Sequence, residues 1–155
     1  MAITKSDFYA QSLNQFAPHR LRGEYLDWGL NAWVLEVQID ASQVTPLYAG
    51  DLVKIYPDST GKLKVVAGAS TDKCVGYILY NAKREEFKAG DICSMLVRGG
   101  VIAAVTEEEI SAGAEVYYKD ADGSVTATAS GNRMGFAMAK TEATSGGTLI
   151  PVLIA

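Results

Sequence analysis

Hydrophobic and polar residues alternate with a period of two along most of the chain after residue 33. In residues 34–40, Leu35, Val37 and Ile39 alternate with acidic or amide side chains. This alternation is typical of a strand with one buried face, because successive side chains point to opposite sides. Similar short segments follow at residues 52–56, 62–67, 74–80, 92–98, 101–105, 115–119, 124–128, 133–138 and 148–154. The pattern predicts an all-β fold, a small barrel or sandwich of about ten short strands.

Turn-forming residues separate these segments and refine the prediction. Asp51 and Asp91 each follow an Ala-Gly pair, which indicates turn aspartates that hydrogen-bond their own backbone. Thr106 and Glu109 have the spacing of a capping box, which predicts one helical turn at residues 106–110. Pro151 cannot donate a ladder hydrogen bond, so we expect the last strand to be an edge strand or to carry a bulge.

The first 33 residues follow a different pattern. Residues 4–16 can form a short amphipathic helix with Tyr9, Leu13 and Phe16 on one face, and Pro18 would end it. The stretch from 18 to 33 has no period but is rich in large aromatic and basic residues, which dominate binding hot spots. We therefore predict an N-terminal arm at residues 1–33 and a β domain at 34–155; the alternative is that these rings cap the β core. The candidate binding residues are Tyr9, Phe16, His19, Arg20, Arg22, Tyr25, Trp28 and Trp33.

One short sequence pattern occurs twice within the β domain, at residues 49–105 and 112–155. Each segment opens on an Ala-Gly pair, passes a Gly-containing turn, and then reaches a glycine followed by an aromatic, at Gly76 and Gly135. A glycine inside a strand marks a bulge or a close backbone approach. The pattern predicts an internal duplication, although chance similarity among glycine-rich strands is the alternative.

Composition and candidate chemistry argue against several functions. The net charge is −4, which argues against broad nucleic-acid binding, and the apolar runs are too short to cross a bilayer. Cys74 and Cys93 fit no zinc or redox spacing and are expected to be buried thiols, with a disulfide left open. His19 is the single histidine, so no catalytic constellation can be assembled, and we expect no catalysis, cofactor or metal. A cation site at residues 107–109 is a weaker alternative.

The order of motifs from residue 45 to 155 resembles the capsid decoration, or structural cement, proteins of tailed bacteriophages. The features that carry the resemblance in the second half are Ala112, Gly113, Val116, Tyr117, Asp122, Gly123, Gly131, Asn132, Gly135, Phe136, Ala137, Ser145 and Gly146. In the first half they are Gly76-Tyr77, then residues 80–83 and 87–91. The resemblance implies a virion protein on the outer capsid surface, made in the host cytoplasm, with the major capsid protein as its partner. It also implies a homo-oligomer, with a trimer favoured.

Two other functions remain open from the sequence. A phage adhesion module could bind carbohydrate through Trp28, Trp33 and the tyrosines. A β-barrel hydrolase could carry its site near Asp51, Asp91 and the acidic residues 107–109.

Overall fold

The computed structural model describes residues 22–23, 25–27, 32–73, 75–81, 83–84 and 86–155. These residues contain thirteen strands and no helix, so the expected all-β class is confirmed. The strands are β1 (Tyr25–Asp27), β2 (Trp33–Ile39), β3 (Leu47–Tyr48), β4 (Leu52–Ile55), β5 (Lys64–Ala67), β6 (Val75–Ile78), β7 (Glu86–Phe87), β8 (Ile92–Arg98), β9 (Val101–Thr106), β10 (Glu115–Tyr118), β11 (Val125–Thr126), β12 (Arg133–Ala137) and β13 (Thr148–Ile154). The pattern missed β1, β3 and β7, which are too short to show alternation.

Five strands form a closed barrel in the order β2-β5-β4-β6-β8. Closure comes from the parallel pairing of β2 with β5, in which Ile39 lies opposite Val65. The interior is filled by inward-facing residues that include Val37, Ile39, Val53, Val65, Ile78, Cys93 and Met95. Strands β3 and β7 pair beside this barrel, and their partners Leu47 and Phe87 are buried in the same cluster. This short pair therefore closes one end of the barrel.

A six-stranded antiparallel sheet, ordered β1-β9-β13-β12-β10-β11, packs against the outside of the barrel. Its inward-facing residues include Ile102, Ile150 and Val152, which belong to one buried cluster together with Leu96 and Tyr77 of the barrel. Burying apolar area contributes about 25 cal/mol per Å², so the contacts of this shared cluster stabilise the packing of the sheet on the barrel.

The same strand order occurs twice. We call residues 33–98 the first unit and residues 101–154 the second unit. Their strands are ordered β5-β4-β6-β8-β2 and β11-β10-β12-β13-β9. Register and turns also correspond: Tyr77 pairs with Leu96 as Phe136 pairs with Leu153. The glycine of each opening Ala-Gly pair donates through its backbone N–H to a carbonyl 2.7 Å away. The repeat differs from the predicted segments in two places: β2 lies before residue 49, and β9, which the prediction put at the end of the first segment, belongs to the second unit.

The two strand glycines mark close approaches, as expected. A Cβ built on Gly135 would lie 1.8 Å from the carbonyl oxygen of Leu153, and one built on Gly76 would lie 2.4 Å from Cγ of Met95. The register of β10 and β12 also shifts between Val116 and the following residue. Both positions therefore exclude any side chain.

The prediction for Pro151 was wrong, because β13 is an interior strand between β9 and β12. The carbonyl of Pro151 accepts a 2.8 Å hydrogen bond from Met138, one residue beyond the end of β12. The N and C=O of a strand residue point to the same side, so the missing N–H falls where the β12 ladder has already ended. An interior proline costs little at this position.

The predicted helical turn at residues 106–110 does not form. Thr106 ends β9, and Ile110 forms an isolated antiparallel bridge with Thr141. The hydroxyl oxygen of Thr106 still accepts a 3.1 Å hydrogen bond from the backbone N–H of Glu108, which stabilises a turn rather than a helix start. Glu109 instead pairs with Lys140 at 3.6 Å. The extended bridge at Ile110 overrides the local capping signal.

Candidate functional site

The residues predicted to bind a partner are described only in part. Tyr9, Phe16, His19, Arg20 and Trp28 lie outside the described residues, and Tyr25 is described only as the start of β1. Strand β1 pairs with β9, and β2 begins at Trp33, so part of the segment assigned to the arm belongs to the β structure. Arg22 and Trp33 can be placed in full.

Arg22 is used within the fold. Its guanidinium donates to Asp51 Oδ1 at 3.0 Å and to the carbonyl of Gly123 at 3.1 Å. Asp51 precedes β4 in the first unit, and Gly123 lies in the β10–β11 turn of the second unit. A Cβ on Gly50 or on Gly123 would lie within 2.8 Å of the Arg22 side chain, which accounts for glycine at both. Arg22 therefore joins the two units, and its predicted contact with a partner stays a prediction.

Trp33 lies at the opposite end of β2 from the β3–β7 pair and is 57% exposed. The guanidinium of Arg98, its cross-strand partner on β8, lies 4.8 Å from the ring centroid. This cation–π contact holds the ring against Arg98. Leu35, two residues along β2, is also exposed and extends the apolar surface.

A depression lies beside this ring. Its lining consists of Ala32, Trp33, Arg98, Gly99, Ile154 and Ala155. The depression joins the end of the barrel to the last strand of the second unit. We call Trp33, Leu35, Arg98 and this lining the Trp33 end. Arg98 was missed from the sequence because nothing local shows that the last residue of β8 pairs with the first residue of β2.

The turn aspartates are bonded as the sequence predicts. Asp51 and Asp91 each accept a 2.7 Å hydrogen bond from a backbone N–H three residues earlier, at Tyr48 and Lys88. Asp91 also pairs with Arg84 at 2.6 Å, and the Lys88 and Arg84 contacts hold the pKa of Asp91 below its usual value. Both carboxylates are thus used to shape turns.

The remaining candidate residues are the acidic residues 107–109 and the two cysteines. Glu108 accepts a 2.9 Å hydrogen bond from the hydroxyl of Thr126, and no group of three or more metal-ligand side chains occurs within the described residues. Cys93 is buried in the barrel with a free thiol, and burial raises its pKa to about 11. Cys74 lies outside the described residues.

These features define an all-β protein whose turn aspartates are hydrogen-bonded within the fold and whose barrel carries an exposed tryptophan at one end. The comparison with known families is specific: the chain belongs to the XM1 gp53 minor capsid protein family, whose model matches residues 29–154. Among solved structures, the head fiber gp8.5 N base of bacteriophage phi29 is similar, with a TM-score of 0.52 and 13% identity. That likeness covers 81% of this chain and 95% of the phi29 chain, and it shows a shared fold.

A second set of similarities is partial. Phospho-N-acetylmuramoyl-pentapeptide-transferases of Thermodesulfovibrio yellowstonii and Rickettsia prowazekii are 35% and 33% identical over 66 residues. Those residues are 41% of this chain, and the chain spans only 18% of each enzyme. The described residues include no helix long and apolar enough to cross a membrane. The family of this chain and its structural neighbour are phage structural proteins, not enzymes.

Proposed function

We propose that this virion protein binds the outer surface of an assembled phage capsid and holds neighbouring major capsid subunits together. It is made in the host cytoplasm, joins the particle late and acts without catalysis or a cofactor. The proposal is supported by its membership of a minor capsid protein family. The observation that carries it is the exposed Trp33, held by Arg98 at the end of the barrel.

The physical basis of the stabilisation is linkage. A ligand that recognises a surface present only on the assembled lattice stabilises that lattice by RT ln(1 + [L]/Kd) per site. A lattice presents many equivalent sites, so an oligomer gains avidity by engaging several at once. A trimer on a local three-fold position suits this mechanism, because every subunit would repeat the same contact.

The Trp33 end has the composition of an interface centre. Tryptophan and arginine are enriched among residues whose truncation costs at least about 2 kcal/mol of binding free energy. The ring is already positioned, so little side-chain entropy is lost when a partner covers it. The predicted arm residues Tyr9, Phe16, His19, Arg20, Tyr25 and Trp28 would add contacts, whereas Arg22 would hold the segment in place.

The test is binding of the purified full-length protein to undecorated particles. Trp33→Ala should weaken co-sedimentation by more than about tenfold. Tyr48→Ala is the matched control, since Tyr48 is 47% exposed but lies on β3 beside the opposite end of the barrel. Equal effects of the two variants would remove the Trp33 end from the interface.

A heat-release assay and cryo-electron microscopy test the role and the location. Decorated particles should release DNA at a higher temperature than bare ones, and density should lie on the outer shell at positions that bridge subunits. Unchanged heat resistance would exclude the cementing role even with correct placement.

A carbohydrate-binding module is the second candidate, because an exposed tryptophan can also stack on a sugar ring. Glycan-array binding that Trp33→Ala abolishes, with particle binding intact, would favour this candidate over capsid cementing.

A further inference from the structure

The first half of β2 has one strand edge without a partner in the part of the chain that the structure describes. On this side, β2 pairs with β5 at Gln38 and Ile39, near its end. The turn before β5 leaves the edge, and from this turn the amino group of Lys62 reaches to 3.4 Å from the carboxylate of Glu36. Residues 33–37 of β2 therefore present an open edge on the side of β5.

The backbone groups that point to this edge are those of Val34 and Glu36. In a strand, the N–H and C=O of one residue point to the same side, and successive residues alternate between the two sides. The N–H of Gln38 donates to the carbonyl of Leu63 on the β5 side at 3.0 Å, so the residues two and four positions earlier face this side too. Unpaired N–H and C=O groups of this kind are a template for another extended chain.

The register of the two units shows which residue of β9 corresponds to this edge. Leu35 pairs with Met95 on β8, and Ile102 pairs with Val152 on β13. Met95 and Val152 occupy matching places, because each lies one residue before the leucine whose pairing the two units share. Ile102 is therefore the counterpart of Leu35, and the residues that follow them correspond in turn.

In the second unit, a strand covers the corresponding edge. β1 lies antiparallel beside β9, with Tyr25 opposite Ile102. Gly23 donates a 2.7 Å hydrogen bond to the carbonyl of Ala103, which corresponds to the carbonyl of Glu36. The repeated strand order thus shows that an extended antiparallel segment fits this edge. Because β1 is paired with β9, it does not fill the same place on the first unit.

The open edge is continuous with the Trp33 end. Trp33 is 57% exposed and Leu35 is 36% exposed, and these two residues flank Val34 in β2. When a strand is added to a sheet, its backbone hydrogen bonds provide affinity and its alternate side chains provide specificity. A strand laid on this edge would obtain both, because apolar side chains lie beside the open backbone groups.

We propose that the first half of β2 binds an extended segment of the major capsid protein as an added antiparallel strand. The segment would exchange backbone hydrogen bonds with Val34 and Glu36 and would set an apolar residue opposite Leu35. The identity of this partner rests on the proposed function. A second copy of the chain is an outcome of the test, since two β2 edges paired antiparallel would give a two-fold dimer and not the three-fold arrangement proposed for the lattice.

Hydrogen exchange of the full-length wild-type protein, free and bound to undecorated particles, tests the proposal. The amides of Val34 and Glu36 should exchange rapidly in the free protein and about tenfold or more slowly on the particle. Leu35 and Val37, whose amides face β8, should be protected in both states and serve as internal controls.

The outcomes separate this proposal from the proposed function. Particle binding without protection of Val34 and Glu36 would overturn strand addition and leave the proposed function standing. No binding to particles would overturn both. Protection of these two amides already in the free protein would show that the chain itself or a second copy covers the edge, and it would also overturn the proposal.

A proline variant tests the edge by its backbone. Glu36→Pro removes the N–H on the open edge and leaves the β8 ladder intact, and an edge strand tolerates proline where its N–H faces solvent. This variant should weaken co-sedimentation with undecorated particles by about tenfold. Lys62→Ala is the matched control, because it breaks the same ion pair but keeps the N–H, and it should bind as the wild type does. Wild-type binding by Glu36→Pro, with the amides of Leu35 and Val37 still protected, would overturn the proposal.

Discussion

The two units share strand order and register but differ in whether backbone pairing closes the sheet into a barrel. In the first unit, backbone pairing of β2 with β5 completes the ring. In the second unit, the corresponding strands β9 and β11 are joined by side chains: Thr106 donates to the carbonyl of Val125 at 2.9 Å, and Glu108 accepts from Thr126. The same strand order thus occurs once as a closed barrel and once in an open sheet whose strands β9 and β11 are joined only through side chains.

The difference in closure follows from how the two units pack on each other. The first unit can close because Leu52, Tyr77 and Leu96 on the outside of its barrel are buried against its neighbour. The second unit keeps its inward-facing residues in contact with these side chains, so its cluster is shared between the units. The second unit is joined across β9 and β11 by side-chain hydrogen bonds. The comparison therefore predicts that the stability of the second unit depends more on individual side chains than that of the first unit does.

The largest expected effect is at the paired strand glycines. Gly135→Ala should lower the free energy of unfolding by about 3 kcal/mol or more, because the added Cβ would meet the backbone carbonyl of Leu153. Gly76→Ala should cost less, about 1–3 kcal/mol, since its nearest contacts are the flexible side chain of Met95. Urea denaturation measures both. A larger loss for Gly76→Ala would contradict the ranking of the two units.

Closure of the second unit depends on Thr106, which is fully buried. Thr106→Val keeps the shape but removes two hydrogen bonds, one to the carbonyl of Val125 and one from the backbone N–H of Glu108, so we expect a loss of about 2 kcal/mol. Hydrogen exchange should show faster exchange at the amides of Thr126 and Ala127. Thr148→Val, at the partner position on β13, should change stability by less than about 0.5 kcal/mol. Equal losses would show that the side-chain closure contributes nothing.

The seam between the units is tested at Arg22. Arg22→Ala removes a partly buried ion pair with Asp51 and the bond to Gly123. We expect a loss of about 1–2 kcal/mol, discounted for partial exposure. Arg133→Ala, which breaks the exposed pair with Glu115, should cost at most about 0.5 kcal/mol. Differential scanning calorimetry of the two variants gives the comparison, and similar shifts in Tm would deny Arg22 a joining role.

The sequence predicted much of this fold but less of the site. Alternation gave the bounds of β8 and β13 without error, because long half-buried strands carry their own signal. Thr106 and Pro151 were misread because a bridge to Thr141 and the end of β12 are set by tertiary contacts. The Arg98 contact of Trp33 and the Asp51 contact of Arg22 join residues far apart in sequence, so local pattern could not reveal them.

The smallest expected difference between the units is their response to acid. Hydrogen bonds lower the pKa of Asp40 (from Ser42), Asp72 (from Ala69) and Asp91 (from Lys88), all in the first unit. In the described part of the second unit only Asp122 shows this, through Ser124.

A lowered folded pKa means that the charged form favours folding. The resulting stability is fully present above the unfolded value of about 3.9 and is lost as pH falls through the folded values. We therefore expect the free energy of unfolding to change little down to about pH 5 and to fall below about pH 4. Carboxyl-carbon NMR titration should find all four pKa values below that of an unfolded peptide. Asp91→Asn should flatten the fall in stability with pH that urea denaturation measures.

Because the first unit holds three such turns and the second unit one, amide signals of the first unit should shift first as the pH falls below about 4. Earlier shifts in the second unit would reverse this assignment and place its side-chain closure, rather than the aspartate turns, as the acid-sensitive element.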